Sequence, residues 1–210
     1  PASSACNLRC AYCFYADEAG ARAVPNYGLM SNEVSRALLE KAAGAAEGSI
    51  SFLFQGGEPT LAGLDFFRDF VAQAGQRIPR GVAVRYAIQT NGTLLDKDWS
   101  CFLRENHFLV GLSLDGDRAC HDRFRRDGQD KGTYDKVLRA ARLLEEDGVG
   151  FNALTVVTGY LARHIQSAFS SLCRQGFRFQ QYIPCLDPLD EKRGGQEYSL
   201  SPARYEAFLK

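Results

Sequence analysis

A chain of 210 residues in which 25 basic side chains balance 25 acidic ones has no net charge with which to grip a nucleic-acid backbone or an acidic membrane surface. At 45% hydrophobic and 24% charged it has the composition of an ordinary globular domain with one full-sized core, and no apolar run approaches the ~20 residues of a membrane span. The first residues lack the charged and apolar regions of a signal peptide, so the expected setting is cytoplasmic, with neither nucleic acid nor membrane as partner.

The chain opens on Cys6-Asn7-Leu8-Arg9-Cys10-Ala11-Tyr12-Cys13. Three thiolates this close can converge on one iron–sulfur cluster but cannot complete it, which leaves one iron open to bind and activate a small molecule. A zinc site with a borrowed fourth ligand, or thiols without metal, is the alternative reading of this spacing. Cys101, Cys120, Cys173 and Cys185 are scattered through regular segments and read as buried thiols.

Beyond the cysteine loop, helical and β-rich patterns alternate. Helices are predicted over 31–46, 63–77, 96–106, 133–147 and 162–175, and strands over 49–55, 82–89, 108–114, 149–157 and 177–183. Gly148 and Gly176 occupy positions where a helix ends in a left-handed residue. Trp99 is expected in the core, and His107, His121 and His164 at the surface or at helix ends. Ser201-Pro202 starts a further helix that reaches no C-cap by Lys210, so more chain is expected to follow. Alternating elements of this kind make an α/β domain around a parallel sheet.

The unusual residues fall just after the strands: Gly56-Gly57-Glu58-Pro59, Thr90-Asn91-Gly92, Asp115-Gly116, Thr158-Gly159 and Pro184-Cys185-Leu186-Asp187-Pro188. In a parallel barrel that edge carries the active site. Each segment alone is equally explained as a turn. Glycine at 56 and 57 allows close backbone approach, and Glu58 either orients that loop or caps local amides. Ser113 and Asp115, two apart, face one way. Arg125 offers a planar fork, although Arg123, Arg125 and Arg126 all read as solvent-facing by charge alone.

The cysteine loop followed by Gly56-Gly57-Glu58-Pro59 resembles the radical S-adenosylmethionine (SAM) enzymes. More closely, Tyr12-Cys13-Phe14-Tyr15, Phe54-Gln55-Gly56-Gly57-Glu58-Pro59-Thr60-Leu61, Gln89-Thr90-Asn91-Gly92-Thr93-Leu94, Val110-Gly111-Leu112-Ser113-Leu114-Asp115-Gly116 and Cys185-Leu186-Asp187-Pro188-Leu189 resemble the anaerobic sulfatase-maturating enzymes, essentially from end to end. The resemblance implies a partial parallel (β/α)6 radical SAM barrel whose first strand would precede Pro1. It implies a [4Fe-4S] cluster on Cys6, Cys10 and Cys13. SAM would be held by Tyr12, Gly56, Gly57, Glu58, Ser113, Asp115, Arg125 and Leu186, with Tyr15 and Gln55 on the substrate side.

It further implies oxidation of a Cys or Ser in an unfolded or nascent sulfatase to Cα-formylglycine, through hydrogen removal from Cβ by a 5′-deoxyadenosyl radical. Electrons would come from a donor such as flavodoxin or ferredoxin. The catalytic base and further clusters would lie in a cysteine-rich SPASM-type domain after residue 210, so no catalytic residue is assigned within 1–210. The competing readings are another peptide-modifying radical SAM enzyme, such as one that forms thioether crosslinks, and a non-enzymatic metal-binding module.

Overall fold

The computed structural model describes residues 1–210. Five parallel strands, β1 (Ser49–Phe54), β2 (Ala83–Thr90), β3 (Leu109–Ser113), β4 (Phe151–Val157) and β5 (Gln180–Pro184), lie side by side in chain order and curl into a half-barrel. Helices connect them: α2 (Asn32–Ala45) precedes β1, and α3 (Leu64–Arg77), α4 (Lys97–Glu105), α6 (Tyr134–Glu146) and α8 (Ile165–Arg174) fill the crossovers. Each parallel connection needs such a crossover, and each helix buries its apolar stripe on the outer face of the sheet. The predicted α/β half-barrel is therefore the fold observed.

The core lies between strands and helices. Under β1 to β3 it is aromatic, with Phe52, Phe54, Phe67, Phe70, Trp99 and Phe108 in one cluster. Under β3 and β4 it is aliphatic, built on Leu112, Leu114, Val137 and Leu172. Val110, Leu112 and Leu114 alternate onto this outer face, so Gly111 and Ser113 turn to the barrel interior. Trp99 belongs to the core, as expected.

Three predicted strands begin too early, and for one reason. Phe108, Val149 and Phe177 donate their N–H groups back to Leu103, Leu144 and Leu172, each closing the C-terminus of the preceding helix. These are Schellman closures. Gly148 and Gly176 supply the left-handed residue in two of them, with φ of 70° and 84°, and His107 supplies it in the third with φ 52°. An apolar residue after such a helix resembles the start of a strand, but its amide is already committed to the helix.

Other boundaries differ as well. The helix predicted over 162–175 is divided at His164 into α7 (Gly159–Arg163), capped by the Thr158 hydroxyl, and α8. Two short helices were not predicted: α1 (Phe14–Gly20), which starts at Cys13, and α5 (Arg118–Phe124), capped by Asp117. Arg125 is consequently the C-cap of α5. α9 (Pro202–Leu209) starts at Ser201 as predicted. Cys120 and Cys185 are buried, but Cys101 is only partly so and Cys173 is exposed, because it lies on the outward side of α8.

Candidate functional site

A cavity of about 410 Å³ opens at the C-terminal ends of the strands, walled by residues of β2 to β5 and by the turn that follows β1. That volume lies in the usual range for small-molecule sites. Cys6, Cys10 and Cys13 line it together with Tyr12, Tyr15, Gln55, Gly56, Gly57, Glu58, Ser113, Arg125 and Leu186. Of the residues singled out in the sequence for cluster, SAM or substrate, Asp115 alone does not reach it.

Three cysteine thiols on one cavity wall fit a [4Fe-4S] group, in which each thiolate would take a different iron. The thiols sit in an apolar recess: desolvation pushes Cys10 up to about 11, with Arg125 opposing it, and desolvation likewise raises Cys6. Iron must displace those protons on binding. Cys6 also accepts hydrogen bonds from the Leu8 N–H at 3.4 Å and the Asn91 amide at 3.9 Å. Asn91 is in turn tied to Asn7 at 2.8 Å, so the turn after β2 anchors the cysteine loop.

Gly56 and Gly57 line the cavity as expected, but the close approach that Gly57 allows is to the chain itself. A Cβ added there would lie 2.5 Å from the Ala5 carbonyl oxygen and 2.6 Å from that of Ser3, with φ at 58°. The Glu58 N–H then donates to Ala5 at 2.8 Å. The glycine loop thus clasps the segment leading into Cys6. Gly57→Ala is expected to lower stability by about 1–3 kcal/mol and to reduce iron content after reconstitution, since clash and left-handed strain coincide. Gly75→Ala, in the last turn of α3 with open space around it, serves as the control and is expected to leave stability unchanged or slightly raised. Thermal unfolding and iron analysis check both.

Glu58 is 1% exposed. One of its oxygens accepts from the Thr60 N–H, the Thr60 hydroxyl and the Thr90 hydroxyl, and the other from the Asn91 N–H at 2.7 Å. Its carboxylate joins the ends of β1 and β2, the amide-capping role read from sequence as the alternative to ligand contact.

Asp115 has also been drawn elsewhere. Its carboxylate accepts from the Tyr12 hydroxyl, from Arg125 Nε at 2.8 Å and Nη2 at 3.3 Å, and from the Val156 N–H at 2.8 Å. A carboxylate has about four acceptor sites, and all are taken. Asp115 lies just past β3 and behind Tyr12 and Arg125, which stand between its carboxylate and the cavity. Ser113 is the member of the pair that faces the cavity.

Arg125 is 8% exposed, whereas Arg123 pairs with Glu197 and Arg126 with Asp130 at the surface. Burial works against its charge, yet Asp115 and the neighbouring Tyr12 and Cys10 hold its pKa well above the ordinary value. Asp115 occupies the guanidinium edge bearing Nε, which leaves Nη1 for the cavity. Tyr12 lies beneath this pair, 5.4 Å from the guanidinium, in an aromatic group with Phe124 and Tyr198. At the mouth, Tyr15 stacks on Phe14 with ring centres 4.1 Å apart, and Leu186 is 65% exposed on the rim rather than packed in the core.

The sequence profile of the Radical SAM superfamily matches residues 1–172. The chain belongs to the radical SAM superfamily. A cysteine-type anaerobic sulfatase-maturating enzyme of Clostridium novyi (strain NT) is 44% identical over 209 residues, covering 100% of this radical SAM chain and 56% of that relative. A serine-type anaerobic sulfatase-maturating enzyme of Klebsiella aerogenes is 35% identical, with 100% and 51% covered. A solved structure described as native anSMEcpe with bound AdoMet and Cp18Cys peptide superposes with a TM-score of 0.93 at 44% identity, covering 100% of this chain and 56% of that one. The chain spans about half the length of the curated relatives it matches.

The sequence did not mark Leu154, Val156, Gln181 or Ile183, which line the cavity too. The i, i+2 spacing within β4 and β5 was the available signal, but choosing between the two faces of each strand required knowing where the helices pack. His121, read as lying at the surface or at a helix end, is in the last turn of α5 and is fully buried, so the surface alternative is excluded.

Proposed function

We propose that this radical SAM domain serves an enzyme that oxidises a Cys or Ser side chain of a sulfatase polypeptide to Cα-formylglycine. The observation that carries this reading is the convergence of three thiols and the one available guanidinium on a single cavity, in a chain that aligns over its whole length with sulfatase-maturating relatives. The higher identity to the cysteine-type relative, 44% against 35%, favours cysteine as the residue oxidised.

On this reading Cys6, Cys10 and Cys13 would hold a [4Fe-4S] cluster, and SAM would bind beside it with its amino and carboxylate groups toward the cysteine loop. The free edge of Arg125 meets that carboxylate, backbone groups of Gly56 and Gly57 meet the ammonium, and Ser113 meets the ribose. Tyr12 and Leu186 flank the adenine; Tyr15 and Gln55 stand toward the peptide. When bound, cluster and SAM supply a 5′-deoxyadenosyl radical able to take hydrogen from the substrate Cβ. The chain's part is to bind and orient, while Leu154, Val156 and Ile183 make an apolar wall that keeps water from the reacting centre. Glu58 cannot be the base, because Thr60, Thr90 and Asn91 already use its oxygens. We assign the base and the acceptor of the second electron to sequence beyond residue 210, and the first electron to a flavodoxin or ferredoxin in the cytoplasm.

The test is anaerobic incubation of the full-length, cluster-reconstituted protein with SAM, a reductant and a sulfatase-derived peptide containing C/S-x-P/A-x-R. Mass spectrometry with hydrazide trapping of the aldehyde is expected to find formylglycine at the Cys or Ser. SAM cleaved to 5′-deoxyadenosine beside unaltered peptide would refute this substrate, and a thioether product would move the protein to another class of peptide-modifying enzyme.

A further inference from the structure

Behind Asp115 and Arg125 lies a histidine that the chemistry above leaves without a role. His121 has no exposed surface, and both of its ring nitrogens are engaged. The Asp115 backbone N–H donates to Nδ1 at 3.3 Å, and Nε2 lies 3.0 Å from the Thr133 hydroxyl oxygen. That hydroxyl, itself fully buried, donates its proton to the Arg125 carbonyl at 3.0 Å. The directions of these bonds assign the tautomer. The Thr133 proton is already used, so Thr133 must accept from Nε2–H, and the Asp115 amide needs Nδ1 as a bare acceptor. Burial pushes the ring down to about 3, the Asp115 carboxylate opposing this and Arg125 adding to it. A second proton on Nδ1 would point directly at the Asp115 amide.

The ring therefore bonds to the main chain of one ion-pair partner and, through Thr133, to the main chain of the other. Asp115 sits just past β3, and Arg125 just past α5, so their side-chain pairing depends on the distance between two different backbone segments. Side-chain bonds alone would let the guanidinium rotate with Asp115. The neutral connector holds the two backbones to one separation and so fixes the direction of the guanidinium edge that Asp115 leaves free.

We propose that His121 and Thr133 are positioning residues that aim Arg125 at the carboxylate of SAM. This rests on the reading of Arg125 given above, and the experiment separates the two. SAM dissociation constants would be measured by equilibrium dialysis on the full-length, cluster-reconstituted protein and its Thr133→Val, Thr133→Ser, Arg125→Ala and Thr133→Val/Arg125→Ala variants. Iron content and thermal midpoint would be recorded for each. Valine matches threonine in shape and removes only the hydroxyl. Thr133→Val is expected to weaken SAM binding about three- to tenfold, the scale of one lost hydrogen bond, at unchanged iron content. Thr133→Ser should restore it. In the Arg125→Ala background the valine should add nothing, because the group it misdirects is gone. Unchanged affinity in Thr133→Val, or the same loss repeated in the Arg125→Ala background, would overturn the relay while leaving Arg125 as a SAM contact. Normal SAM binding by Arg125→Ala would overturn the Arg125 reading itself, and the relay with it.

Discussion

Replacing any one of Cys6, Cys10 or Cys13 by alanine is expected to abolish cluster assembly, while replacing Cys101 or Cys173 leaves it intact. The three line one cavity at the strand ends, whereas Cys101 lies on α4 and Cys173 on the outside of α8, neither of them in the cavity wall. The loss should be all or none rather than graded. On the function proposed above, three thiolates would be the minimal set for a cluster of four irons, one of which would already lack a protein ligand. The Cys10 thiol, pushed up to about 11 by desolvation, stays protonated unless iron displaces the proton, so a site weakened by one ligand loses the metal that keeps the other thiols ionised. Iron and sulfide per chain after anaerobic reconstitution, with the electron paramagnetic resonance of the reduced protein, measure this. Equal loss in all five variants would deny the clustered cysteines any privileged role.

A second large effect is expected for Asp115→Ala, about 3–5 kcal/mol of lost stability, the range for removing one partner of a buried ion pair. Arg125 is 8% exposed and keeps its charge, since a guanidinium does not lose its proton in a protein. Without Asp115 that charge stays buried and unpaired. The Val156 N–H and the Tyr12 hydroxyl lose their acceptor at the same time. Asp115→Asn keeps an acceptor oxygen for part of this network and should cost less. Urea denaturation gives the answer through the shift in midpoint at constant slope. A loss below about 1 kcal/mol in Asp115→Ala would mean that water reaches the guanidinium and that the pair is not the rigid base of the cavity inferred here.

Much of the fold and the ligand set could be read directly. The alternation of helical and strand periodicities is a local property, and so is the position of a helix-ending glycine; both appear at Gly148 and Gly176 where expected. The cysteine spacing is local too, because a loop of that length can bring its thiols to one place only if they are close in sequence. Which of several like residues is buried is not local. Arg123, Arg125 and Arg126 are equivalent by charge, and they are separated only because α5 ends at Phe124 and turns Arg125 inward to meet a carboxylate arriving from β3.

The same distinction explains the misread residues. Asp115 and Ser113 are two apart, but Tyr12 and Arg125 come between the Asp115 carboxylate and the cavity, and both arrive from other parts of the chain. Gly57 lines the cavity as expected, and what the spacing did not show is that its missing Cβ also makes room for the backbone of Ser3 and Ala5, a contact between segments more than fifty residues apart. For His121, a lone histidine with no spacing to a second group, the sequence left the surface and a helix end as alternatives; it lies in the last turn of α5 but is buried, because its partners come from Asp115 and from Thr133, the residue just before α6. What the amino-acid sequence determined by itself was the set of chemical groups and the periodic elements that carry them, because both depend on near neighbours along the chain. Which of those groups face the cavity, and which are used up in holding others still, was decided by tertiary packing. A hydrogen-bonding group has few sites to offer, and only the folded chain settles which donor reaches them first.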